Sequence, residues 1–324
     1  ASVKAGSVVS PLTGITARAG SGVKVTYDSG SSSSSAATAA SKADVAVVFV
    51  SKSESEGGDL ANIDLAASDN SLISAVAQAN PHTVVVLNTG SAVTMPWLSS
   101  VSGVFEAWYS GQEDGHAIAD LLFRDVNPSG HLPVTFPKSL DQVPANTAAQ
   151  WPGADSKVQY SEGLKVGYRW YDAQNIAPLF PFGFGLSYTT FGFSGLQVGA
   201  LDGSGNATVS ATVTNTGSRA GAEIAQLYVG DPASTGEPAK QLKGFQRVDL
   251  QPGASAKVTF TVTAHDLAYW NTSANNWTTA AGSYQIMVGD SSRNLPLTGT
   301  LNVATTMSAK TVGAPATQAA TVTV

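Results

Sequence analysis

Apolar positions in the first 136 residues fall into two kinds of run. Asp44-Val45-Ala46-Val47-Val48-Phe49-Val50 is continuously apolar after its first residue, and Thr83-Val84-Val85-Val86-Leu87-Asn88 repeats the pattern. Strands buried on both faces of a parallel sheet read this way. Val104-Phe105-Glu106-Ala107-Trp108 predicts a further strand, and Val23-Lys24-Val25-Thr26-Tyr27 another. Between them the period is helical. Residues 68–79 place Leu72, Ile73, Val76 and Ala77 on one face, and His116–Phe123 turns Ile118, Leu121 and Leu122 inward. Pro11–Ile15 opens a short helix. The serines 31–35 lead with Ala36–Ala40 into another, although by composition such a run reads as a flexible linker. Strands alternating with helices predict an α/β domain over residues 1–136, an open, mostly parallel sheet with helices on both faces.

From Phe193 the period becomes two. Residues 207–214, 225–229, 257–262 and 284–288 alternate or read as short strands, and Asn215-Thr216-Gly217 and Gln251-Pro252-Gly253 supply turns. Short strands spaced in this way predict an all-β sandwich over residues 189–304. Residues 137–188 carry many Pro, Gly and aromatic residues without long periodic runs, and read as a connector packed over the sheet domain. Residues 305–324 are Ala/Thr-rich without aromatics and read as a disordered tail.

Length and composition narrow the function classes. The 324 residues suit two domains, and cysteine is absent, so no disulfide or thiolate metal site exists. Only 12% of residues are charged and the net charge is −6, which argues against nucleic acid and against an electrostatic membrane anchor. No apolar run approaches the ~20 residues of a membrane span. His82, His116, His131 and His265 are scattered without metal-ligand spacing, and no dinucleotide fingerprint follows a strand. Neither metal nor organic cofactor is expected. Low charge with abundant Gly, Ser, Thr and Ala suits a secreted, bacterial-like protein.

The loop after the first buried run holds the candidate chemistry. Ser53-Glu54-Ser55-Glu56-Gly57-Gly58-Asp59 carries three carboxylates and two glycines, beyond the carboxyl end of a strand, where open α/β sheets bind ligands. A carboxylic acid on a flexible loop suits proton donation to a leaving group. From the local residues the commoner reading is a solvated acidic turn before a helix. Glu113-Asp114-Gly115 is read as acids at a helix start. Trp97 and Trp108 have apolar neighbours and read as core; Trp151, in a Pro/Gly-rich loop, is the better platform for a sugar ring.

Longer blocks break the tie. Asn80-Pro81-His82-Thr83-Val84-Val85-Val86-Leu87-Asn88-Thr89-Gly90, Met95-Pro96-Trp97-Leu98, Gly111-Gln112-Glu113-Asp114-Gly115 and Asn127-Pro128-Ser129-Gly130-His131-Leu132-Pro133-Val134-Thr135-Phe136-Pro137 resemble the C-terminal part of family 3 glycoside hydrolases, the β-glucosidase and β-xylosidase family. Val166-Gly167-Tyr168-Arg169-Trp170-Tyr171-Asp172 and Pro178–Phe191 resemble its passage into a fibronectin type III-like domain. The resemblance spans residues 8–304. It implies retaining hydrolysis of terminal β-linked glucose or a similar sugar, from an oligosaccharide or aryl glycoside. It implies that Glu56, in a Glu-Gly-x-Asp setting, is the acid/base, with Glu54 the alternative, and that Asp59 contacts substrate or orders the loop. Leu60 and Ala66 depart from the arginine and proline that often stand there. The family pattern begins with a barrel carrying the nucleophile and with a strand that opens the sheet domain. This chain starts after both, so a fragment, a cleaved subunit or a truncated product is expected, with a barrel-bearing domain or chain as partner. The rival expectation is a non-catalytic carbohydrate- or partner-binding module.

Overall fold

The computed structural model describes residues 6–308. Contacts divide the chain into two compact units, Ala1–Val126 with Phe136–Val143, and Asn127–Thr135 with Pro144–Val324.

The first unit runs α1 (Pro11–Ala19), α2 (Ser33–Ala40), β1 (Ala46–Ser51), α3 (Ala67–Ala79), β2 (Thr83–Asn88), β3 (Gly103–Glu106) and α4 (Asp114–Leu122). The three strands pair in parallel in the order β1-β2-β3, with Val48 opposite Val85 and Val86 opposite Phe105. Val85, Val86 and Leu87 are fully buried, as their continuous apolar run requires. The serine run is helical from Ser33, because the Ser32 hydroxyl accepts the Ser35 N–H and caps it. Parallel pairing brings the carboxyl ends of all three strands to one edge, and Glu54, Thr89 and Trp108 follow at that edge.

One strand prediction fails. Val23–Tyr27 has the alternation of a strand, yet it pairs with nothing in the described sheet, and Val23 and Tyr27 are 52% and 68% exposed. Alternation makes a strand only where a neighbour offers a ladder and a buried face.

The second unit holds α5 (Tyr168–Ala173), which the sequence did not predict, then β4 (Phe191–Val198), β5 (Ala207–Asn215), β6 (Gly221–Gly230), β7 (Gln241–Leu250) and β8 (Ser255–Val262). β9 (Tyr269–Asn271), β10 (Asn276–Thr279), β11 (Gly282–Gly289), β12 (Leu297–Val303) and β13 (Met307–Ser308) follow. A sheet ordered β12-β11-β6-β7 and another ordered β4-β5-β8 share one core. In β8, Val258, Phe260 and Val262 are buried while Lys257, Thr259 and Thr261 face out, and Val209 stands opposite Phe260.

Two expectations are corrected here. β6 does not alternate: Gln226 and Tyr228 are as buried as Leu227 and Val229. The reason lies in the segment read as a connector, whose residues 144–188 group with the strands of this unit while residues 137–143 group with the first. Tyr168 meets Tyr228 edge-on at 5.8 Å, and its hydroxyl accepts the Leu242 N–H at 2.8 Å. Gly183 O accepts from Gln226 at 3.1 Å, and Asp172 sits between Lys240 and Arg293. Of the expected tail, Met307 and Ser308 pair with β10 as a strand; residues 309–324 lie outside the described residues.

Candidate functional site

The loop leaving β1 is strapped at both ends. The Lys52 ammonium donates to the carbonyls of Asn62 and Asp64 at 2.8 and 2.7 Å, while Lys52 O accepts the Tyr109 hydroxyl at 2.5 Å. At its far base Thr94 N–H donates to Ile63 O, and the Thr94 hydroxyl to Asp64 Oδ1 at 2.5 Å. Between these straps Ser55 and Gly58 form a bridge, closed by Gly58 N–H on Ser55 O at 3.3 Å. Glu56 and Gly57 occupy the two corners. Gly57 has φ +77°, a conformation glycine adopts without steric cost, so the turn depends on it.

The two candidate acids differ in setting. Glu56 stands exposed at the tip of the turn. Glu54 is partly buried, and its Oε1 accepts from Ser91 Oγ at 2.9 Å and Gly90 N at 3.3 Å. Asp59 is exposed. It does not cap α3, whose preceding residue is Ala66. Trp151 lies in the second unit, 42% exposed, on a turn where its N–H donates to Thr147 O. The structure thus brings Glu54, Glu56 and Asp59 together on one loop, and Trp151 stands on the other unit. A cavity of about 350 Å³, lined by Ser51, Lys52, Ser53, Glu54, Asn88 and Tyr109, opens at the strands' carboxyl edge.

Glu106 ends β3 beside this cavity. Its Oε1 accepts the Trp108 N–H at 3.0 Å, and both its oxygens lie 3.2 Å from the Thr89 hydroxyl. Burial pushes its carboxyl up to about 7; the Trp108 and Thr89 hydrogen bonds oppose the shift, and the Glu54 charge adds to it. Trp108 itself has φ +55°. A bulky residue in that region is strained, and such strain collects at functional sites. Trp97 is core as expected, 3% exposed, with its indole N–H on Asn70. Glu113 pairs with His116 at 2.7 Å and makes no side-chain cap to α4. Among the described residues, no group of three or more His, Cys, Asp or Glu side chains could hold a metal.

The raised Glu106 carboxyl has a signed consequence. The folded state holds this proton more tightly than the unfolded chain, so Glu106 lowers stability progressively as pH rises from about 4.5 through 7. Glu106→Gln keeps the acceptor for Trp108 but carries no charge. It is expected to raise the stability of the first unit by of order 2–3 kcal/mol at pH 8 and to change little at pH 4.5. Urea unfolding of the full chain at the two pH values checks this, and an equal effect at both would overturn it.

The model of the glycosyl hydrolase family 3 C-terminal domain matches residues 1–188, and that of the fibronectin type III-like domain matches residues 223–292. The chain belongs to glycosyl hydrolase family 3. Thermostable beta-glucosidase B of Acetivibrio thermocellus is 46% identical over 270 residues, covering 82% of this chain and 36% of that protein. Exo-alpha-(1->6)-L-arabinopyranosidase of Bifidobacterium breve is 42% identical, covering 80% and 34%. DesR, a β-glucosidase from Streptomyces venezuelae solved with D-glucose, superimposes with a TM-score of 0.81 at 43% identity, covering 84% of this chain and 35% of that one. The chain therefore spans about a third of the length of these relatives.

Within the family 3 domain, sequence reasoning reached the Glu56 loop but not what holds it. It assigned no role to Glu106, Thr89, Gly90, Ser91 or Tyr109. A signal existed: each ends or follows a strand of the parallel sheet at its carboxyl edge, where open α/β sheets bind ligands.

Proposed function

We propose that this chain is the acid/base-bearing C-terminal portion of a retaining, exo-acting β-glycosidase that removes terminal β-linked glucose or a similar sugar. The observation carrying the reading is Glu56 at the tip of a turn in a loop whose two ends are held by Tyr109 and Thr94, from the loops after β3 and β2. A carboxyl group held out on a braced turn reaches a bond lying outside its own domain. In the retaining mechanism two carboxyl groups stand about 5–5.5 Å apart, one as nucleophile and one as acid/base. Glu56 protonates the glycosidic oxygen, and its carboxylate then takes a proton from the water that opens the glycosyl-enzyme ester. The nucleophile comes from the barrel that the family resemblance implies. A barrel surface closing over Glu56 also supplies the burial and the second carboxylate that a general acid at neutral pH requires. Asp59 and Trp151 are the proposed sugar contacts.

The test uses the purified chain and a fusion placing it behind the preceding segment of the Acetivibrio thermocellus relative. The isolated chain is expected to leave aryl β-glucosides at the background rate, and the fusion to hydrolyse them. Turnover by the isolated chain, abolished by a substitution within it, would relocate the machinery. A folded fusion that binds glucosides without hydrolysing them would favour the non-catalytic carbohydrate-binding module.

A further inference from the structure

We propose that Glu54 is the positioning residue of the Glu56 turn: it latches the loop after β1 to the loop after β2 and so fixes where the Glu56 carboxylate stands. The inference rests on the reading of Glu56 as acid/base.

The latch has a built receiver. Glu54 Oε1 accepts two hydrogen bonds, from the Ser91 hydroxyl and the Gly90 N–H. The receiving loop is held from beneath by Thr89, which is fully buried; its hydroxyl reaches Ser91 O at 2.8 Å and lies 3.2 Å from both Glu106 oxygens. Gly90 lies directly under the Tyr109 and Glu54 side chains. A Cβ there would stand 2.8 Å from Tyr109 Cε2 and 2.9 Å from Glu54 Oε2. A side chain there would push the Tyr109 ring and the Glu54 carboxylate aside, so glycine lets that carboxylate reach the backbone. Tyr109, on the other side of Gly90, closes the ring by donating to Lys52 O. Glu106, Thr89, Gly90 and Ser91 thus form a platform under one side chain of the acid loop, two residues before Glu56.

This placement separates the roles of the two glutamates. An oxygen already accepting two hydrogen bonds is committed to them, whereas Glu56, on the turn beyond, stands exposed. The latch needs only an acceptor oxygen at position 54. A glutamine keeps that oxygen; an alanine removes it.

The experiment reads amide hydrogen exchange in the full chain, and kcat and KM in the fusion described above, for Glu54→Ala, Glu54→Gln and Ser91→Ala. Losing a charged acceptor is expected to speed exchange at Gly90 by about tenfold or more, and to speed it at Gly58 in the same direction. Glu54→Gln is expected to stay within about threefold of the parent in exchange and in kcat, since its amide oxygen still accepts. In the fusion, Glu54→Ala is expected to lower kcat about 10–100-fold with KM nearly unchanged, as misplacing a catalytic group does. Ser91→Ala removes one donor and gives a smaller loss of the same kind, readable even if Glu54→Ala fails to fold. Unchanged Gly90 exchange in Glu54→Ala would overturn the latch. A fusion killed by Glu54→Gln as thoroughly as by Glu54→Ala would show that position 54 acts through its proton, which overturns the positioning role. The reading of Glu56 fails separately: a fully active Glu56→Gln fusion would sink it while leaving the exchange results standing.

Discussion

Glu56→Gln in the fused enzyme is expected to slow hydrolysis of cellobiose by 10²–10⁴-fold, the usual cost of losing a general acid. The size of the loss depends on the leaving group. An unactivated sugar departs as a poor alkoxide unless it is protonated as the bond breaks, whereas dinitrophenolate departs unaided. Dinitrophenyl β-glucoside is therefore expected to keep most of its rate of glycosyl-enzyme formation, and the slow step shifts to hydrolysis of the intermediate. That step still lacks its base, so the intermediate accumulates and the reaction shows a burst. The basic limb of the kcat/KM–pH profile, which reports the essential acid in the free enzyme, is expected to disappear for cellobiose. Equal losses of kcat/KM on the two substrates, or a larger loss from Glu54→Gln, would overturn the assignment. The contrast is sharp because position 54 needs an acceptor and position 56 needs a proton.

The legible parts of the fold were those whose signal is local. β2 begins and ends where its Thr83–Asn88 run predicts, since a continuous apolar run needs only a buried position to become a strand. α3, read over 68–79, spans Ala67–Ala79 and buries the predicted Ile73, Val76 and Ala77. Val23–Tyr27 misled because the same alternation serves a strand or an exposed extended segment, and the choice lies with a pairing partner elsewhere in the chain. β7 and β12 were missed for the converse reason. In β7, Lys243, Gly244, Gln246 and Arg247 break the apolar pattern, and pairing with β6 makes the strand.

The site divides along the same line. Glu56 was legible through its Glu-Gly-x-Asp setting and its place after a buried strand. The support around it was not, because every member is remote in sequence. Glu54 meets Gly90 and Ser91, Tyr109 meets Lys52, and Glu106 meets Thr89. Nothing in Thr89-Gly90-Ser91 by itself announces a receiver for a carboxylate. Parallel pairing of β1, β2 and β3 is what delivers these loops to one edge.

In the second unit, replacing His131 is expected to be the most damaging single change. His131 Nδ1 faces the carbonyl oxygens of Gly183 at 2.5 Å and Asp290 at 3.1 Å, and Nε2 stands 3.2 Å from Glu223 Oε1. The two carbonyls only accept, so Nδ1 carries a proton, and the Glu223 side chain opposite Nε2 favours the doubly protonated, charged ring. Its side chain and that of Glu223 are 11% and 10% exposed. Burial disfavours this charge, yet the hydrogen bond and charge of Glu223 and the two carbonyls outweigh it and raise the pKa above its ordinary 6.5. Removing one member of a buried pair strands the other, so His131→Ala is expected to cost about 3–5 kcal/mol. The pH dependence carries the sign. A raised histidine contributes its full stability below about 6.5 and loses it as pH rises through the folded value. Glu223, from β6, and Asp290, after β11, are the charged groups facing the ring. Burial also raises the Asp290 carboxyl, which lowers stability with rising pH on its own account. The measurement is therefore a difference, the unfolding free energy of the parent minus that of His131→Gln, taken from pH 5.5 to 9. It is expected to be largest at the acid end and to shrink toward pH 9. A difference independent of pH would mean that His131 is held neutral and that packing and hydrogen bonds, rather than charge, join it to Glu223.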